Sequence, residues 1–210
     1  MRATAILASV LFGLVLAVPA ARADGEQAKA PSRINTIPPE LLTDGFLHAH
    51  PDLDYRLRGV ALDRKQSPAS APKEYRRAAY YGDKPSQARI GEMYWNGEGV
   101  DKDPVLGFLW MALAAEREQR EFSLLKLFYW QHLDEAQQSQ ARERAPGMLA
   151  EYGDAVAKHR LAVVLRREQR PGTGGLLGYN PAAGALFMSN GLDPALYYAE
   201  TFWKPEEYMA

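Results

Sequence analysis

The stretch from Ser86 to Arg120, SQARIGEMYWNGEGVDKDPVLGFLWMALAAEREQR, decides the architecture. Ala88, Gly91 and Tyr94 recur at i, i+3 and i+6, which places a small-residue notch beside an aromatic ring on one helical face. Asn96-Gly97-Glu98-Gly99 then supplies residues for which positive φ costs little, so the first helix is expected to stop and the chain to turn. Asp103-Pro104 restarts it, with a capping carboxylate ahead of a proline in the first helical turn. Leu106, Leu109, Trp110, Leu113 and Ala114 bring the apolar stripe back at i, i+3, i+4, i+7 and i+8. A helical hairpin whose two members approach closely is the expected result.

Similar punctuation recurs on either side. Ala78-Ala79 and Ala114-Ala115 lie 36 residues apart, and Tyr81-Gly82-Asp83 returns as Tyr152-Gly153-Asp154 after 71, close to two periods. Helix pairs repeating at this spacing each expose an apolar face that only a stacked neighbour can bury. His50-Pro51 marks a further helix start, and Asp134 with Gln137 has the form of a capping box. Runs with strand alternation are nearly absent, so the predicted class is all-α.

Taken together, Ala88, Gly91, Tyr94, Gly97, Gly99-Val100, Lys102-Asp103, Trp110 and Ala114-Ala115 resemble the Sel1-like repeat, a relative of the tetratricopeptide class. The resemblance implies a short α-solenoid of stacked antiparallel helix pairs. It also implies a non-catalytic scaffold or adaptor that binds another protein or a peptide segment. An earlier copy is expected with a divergent first helix over 52–62, ending at Glu74–Asp83. A more divergent one follows, with helices at Phe122–Trp130 and Asp134–Tyr152, the latter interrupted at Pro146-Gly147.

The ends set the compartment and the boundaries. Arg2, an apolar run from Ala5 to Val18 and Ala21-Arg22-Ala23 read as a cleaved signal peptide over 1–23, shorter than a spanning helix requires. Its removal takes away Arg2 and Arg22 and no acid, leaving a mildly acidic remainder. With no cysteine anywhere, disulfides, thiolate nucleophiles and sulfur-ligated zinc are excluded, which suits a bacterial periplasm. Basic and acidic side chains number 25 and 26, so there is no global surplus for holding a nucleic-acid backbone. A flexible leader is expected over 24–50, the repeat domain over 51–170, and a glycine-rich linker with an irregular aromatic tail over 171–210. That tail could instead fold back as a cap of short helices.

Candidate chemistry is sparse. His48, His50, Asp52 and Asp54 form the best cluster for a metal, which would suit a cell-envelope hydrolase; His50-Pro51-Asp52 also reads as an ordinary helix start. Glu92, Glu98, Asp101 and Asp103 could supply an acid and a base, but a solvated turn leaves a carboxylate an ordinary acid. Gly172–Gly178 lacks the spacing and preceding strand of a phosphate cradle. No cofactor is implied. Tyr80, Tyr81, Tyr94 and Trp95 are the expected partner-binding residues, because aromatic anchors dominate protein interfaces. An inhibitor or immunity role against an envelope toxin would use the same surface.

Overall fold

The computed structural model describes residues 37–65, 69–169 and 193–209; the expected signal peptide, most of the expected leader and the glycine-rich stretch fall outside them. The helices are α1 (Asp44–Ala49), α2 (Pro51–Arg64), α3 (Ala71–Tyr80), α4 (Lys84–Asn96), α5 (Pro104–Ala114), α6 (Arg120–His132), α7 (Glu135–Tyr152) and α8 (Asp154–Glu168). Three short ones follow: α9 (Pro194–Tyr197), α10 (Glu200–Trp203) and α11 (Pro205–Tyr208). No strand occurs among the described residues. The fold is an all-α solenoid of the Sel1 and tetratricopeptide type.

Local chemistry sets the boundaries. The Asp83 carboxylate accepts from Ser86 N at 2.9 Å to start α4, and Asp103 accepts from Leu106 N at 2.9 Å to start α5. Gly97, at φ 80°, closes α4 in the left-handed conformation, its N–H donating to Met93 O at 2.8 Å. Asp134 and Gln137 form the reciprocal capping box at the head of α7. Inside α7 the expectation fails: the helix runs unbroken through Pro146, which is exposed and sits where neighbouring turns hold the axis. Ala141, Ala145 and Met148 on either side pack with Val105 and Leu109 of α5 and hold the helix across the missing N–H bond.

Two antiparallel pairs, α2 with α3 and α4 with α5, stack through α3 and α4. Where α4 crosses α5 the backbones nearly touch: a Cβ on Gly91 would meet Gly107 O at 3.0 Å, and one on Gly107 would meet Gly91 O at 3.1 Å. Around this crossing Tyr75, Ile90, Met93, Trp110 and Leu113 form one buried cluster. The third pair departs from the pattern, since α6 and α7 both pack mainly on α5, and α7 also reaches α3. α6 buries Tyr129 and leaves Leu124, Leu127 and Phe128 exposed.

After α7 the chain turns back. α8 packs against α1 and α11, so Phe46 and Leu53 share a core with Leu161, Leu165, Tyr197 and Trp203. This corrects the expected leader boundary: residues 37–50 include a 3-10 turn and α1, and Ile37, Leu41, Phe46 and Ala49 are buried. Those anchors have too little length to show a helical period, which is why the segment reads as leader. The described part of the aromatic tail takes the fold-back form.

Candidate functional site

Burial of one face of α3 dictates what the other presents. Tyr75, Ala78 and Ala79 point into the core, so Arg76, Arg77 and Tyr80 are left toward solvent. Together with Tyr55 of α2, Tyr81 at the end of α3 and Tyr152 at the end of α7, they line a cleft of about 290 Å³. A second depression of about 250 Å³ adjoins it and shares Tyr55 and Tyr81; Asp54, Arg58 and Arg167 are among its walls. The result is one elongated groove built from α1, which contributes Leu47 and His48, and from α2, α3, α7 and α8.

Guanidinium groups and rings are interleaved along it. Arg160 lies 3.8 Å from the centroid of the Tyr80 ring, and Arg77 and Arg58 lie 5.3 and 5.5 Å from that of Tyr55. Arg160 also donates to Tyr80 O at 3.1 Å and Glu151 O at 2.5 Å, which fixes its plane. Arg58 pairs with Asp54 at 2.6 Å, Arg77 with Glu74 at 3.1 Å, and Arg167 with Glu168 at 2.9 Å. Among the described residues, neither Arg76 nor Arg160 reaches a carboxylate within ion-pair distance. Burial raises the Tyr81 phenol, and burial with a hydrogen bond to Glu151 pushes that of Tyr152 up to about 12. Both therefore stay neutral near pH 7, able to donate and accept.

Of the four residues expected to bind a partner, Tyr80 and Tyr81 meet in this groove, their rings perpendicular with centroids 5.5 Å apart. Tyr94 joins only its edge, accepting a hydrogen bond from Arg76. Trp95 belongs elsewhere: its ring stacks on that of Tyr129 at 4.0 Å and an interplanar angle of 3°, filling the joint between α4 and α6. Sequence reading missed Tyr55, Tyr152 and the arginines. Tyr55 and Arg58 on the polar side of α2 and the Arg76-Arg77 pair were the available signal, since a tyrosine amid charges is not filling a core.

The histidine cluster does not assemble. His48 is exposed whereas His50 is buried, stacked on Phe46 at 3.9 Å. The two His50 ring nitrogens lie 2.7 Å from Phe46 O and 2.8 Å from Phe202 O. Each ring nitrogen thus faces a backbone carbonyl at hydrogen-bonding distance, and neither is open toward a metal. Tyr208 donates to the buried Asp52 at 2.8 Å. These groups fasten the C-terminal segment. No grouping of three or more potential metal ligands occurs among the described residues.

Three of the four acids of the repeat turn are likewise engaged, and Asp101 is exposed. Arg89 pairs with Glu92 at 3.3 Å and Glu98 at 2.9 Å, while Asp103 is spent on its cap. Burial raises the Glu92 carboxyl, against the pull of Arg89. A second network, invisible in the sequence, surrounds Lys84: its ammonium is buried and touches Glu116 at 2.7 Å, Asp154 at 2.9 Å and Leu113 O at 2.7 Å. Arg117 holds Asp154 from the other side at 2.8 Å. With every partner saturated, this is a structural tie between the α4–α5 pair and α8.

No curated protein and no solved structure matches the chain. Among the described residues, no helix is long and apolar enough to cross a membrane. The Sel1 repeat family matches residues 84–118, the α4–α5 pair with its glycine turn, and the chain carries a Sel1-like repeat there.

Proposed function

We propose that this protein is a non-catalytic scaffold of the periplasm that docks a partner protein or peptide in the groove lined by Tyr55, Tyr80, Tyr81 and Tyr152. The observation that carries this reading is the groove itself, where Tyr81 and Tyr152 rest one side on the cores while Tyr80 and the guanidinium of Arg160 held over it stand at the surface. Rings with few rotatable bonds lose little entropy on binding, and arginine stacked on tyrosine is the composition of interface anchors. Sel1 repeats are generally protein–protein interaction modules, which supports the same reading. The signal-like residues 1–23 support export. A metal hydrolase finds no support at His48 and His50, because the two imidazoles face different environments.

A photoreactive phenylalanine analogue placed at Tyr80 in living cells is expected to capture one abundant species, while the same group at Trp95 captures none. Tyr55→Asp should abolish the Tyr80 adduct. Failure of Tyr80 to capture anything, or capture unaffected by Tyr55→Asp, removes the groove as the docking site. Export is tested separately: a tagged chain should fractionate with the periplasm and begin at Asp24. A chain retained in the cytoplasm with Met1 intact would refute that part.

A further inference from the structure

The groove's own charges say what kind of partner it takes. Its lining carries the guanidinium groups of Arg58, Arg76, Arg77 and Arg167 against the single carboxylate of Asp54. Asp54, Glu74 and Glu168 engage Arg58, Arg77 and Arg167, and the rim acid Glu151 bonds Tyr152, so the guanidinium groups left without a carboxylate at ion-pair distance are Arg76 and Arg160 beside Tyr80. The chain as a whole is nearly balanced, with 25 basic and 26 acidic residues, so two guanidinium groups without an ion-paired carboxylate side by side are a local feature of the groove. Guanidinium is a planar fork matched to carboxylate, and stacking on a ring holds that fork in place before a ligand arrives.

Shape narrows the choice further. Two depressions joined at Tyr55 and Tyr81 fit an elongated ligand rather than a single small anion. In an extended peptide alternate side chains face the same way, so carboxylates at every second position would all address the arginine side while the backbone lies along the phenol rings. Resting on the docking reading above, we infer that the groove receives an extended acidic peptide segment of a partner protein, with Arg76 and Arg160 contacting its carboxylates. Tyr80 and Tyr81 flank the segment, and complementary charge steers its approach.

The test uses the full chain without its signal residues and a fluorescein-labelled peptide of alternating Glu and Ser, read by fluorescence anisotropy. It is expected to bind at least about tenfold more tightly than alternating Lys and Ser, and to weaken as salt is raised. Arg160→Glu should weaken it by about tenfold and Arg76→Gln, which keeps a donor toward Tyr94, by several-fold, whereas Arg120→Glu on α6 leaves it unchanged. Equal affinity for the Glu and Lys peptides, no response to Arg160→Glu and Arg76→Gln, or binding of a polygalacturonate oligomer in place of the peptide would overturn the inference. If the peptide fails while the Tyr80 crosslink survives, only the charge assignment falls; loss of both removes the docking site as well.

Discussion

Lys84 shows how much a single buried charge decides here. Its side chain is 2% exposed and its ammonium is shared between Glu116 and Asp154. Lys84→Met would take the ammonium from both carboxylates while Arg117 still holds Asp154 and the Asp154 N–H still donates to Glu116, and a loss of about 1.5–3 kcal/mol in urea denaturation is expected. Hydrogen bonds and charges from Arg117 and Lys84, against the opposing effect of burial, hold the Asp154 carboxyl well below its ordinary value. A carboxyl depressed in the folded state contributes stability that is complete above the unfolded value of 3.8 and fades as pH falls below it. Asp52 has the opposite sign, because burial and then Asp83 raise its carboxyl. Its ionisation costs stability as pH rises past 3.8, so the two groups oppose each other across the acid range. Asp154→Asn should therefore flatten the acid limb of a stability–pH profile measured by thermal melting, and an unchanged limb would contradict the assignment. None of this is legible in the sequence, where Lys84 precedes a proline and reads as a solvated helix start. Partners 32 and 70 residues away make it a core residue.

At the level of helices, local rules suffice where the chain's own neighbours do the work and fail where distant ones do. The glycine turn, the Asp103 cap and the Asp134 capping box stand where spacing puts them, because each is closed within a few residues. Gly91 was readable as a notch; its counterpart Gly107 was not, since only the crossing reveals that each lies against the other's carbonyl. Gly107→Ala would place a methyl 3.0 Å from Trp95 N, and the resulting separation of α4 from α5 should cost about 1–3 kcal/mol in chemical denaturation. Pro146 makes the converse case. It is exposed within the unbroken α7, so Pro146→Ala should stabilise the protein by about 1–3 kcal/mol and raise its far-ultraviolet helical signal. A fall in stability would mean that the proline ring is needed for how α7 lies across α3 and α5. The groove was half legible for the same reason: Tyr80 and Tyr81 are consecutive, whereas Tyr55 and Tyr152 arrive from helices far along the chain.

Across the whole molecule, the repeat predicts stacking but not its return. Period and punctuation fix the pairs, while the joining of residues 37–53 to 197–209 through α8 depends on apolar anchors without a period. Deleting residues 193–210 would uncover Phe46, Leu161 and Leu165 and free both His50 and Asp52 of their tail contacts. Hydrogen exchange in α1 and α8 should then rise by orders of magnitude while the α4–α5 pair keeps its protection. Uniform loss of protection would show instead that the two cores unfold as one. The clasp between residues 37–53 and 197–209 has a mechanical corollary: it joins segments far apart along the chain with few bonds of its own, so a pull applied across it should part these two segments while the α4–α5 pair stays closed.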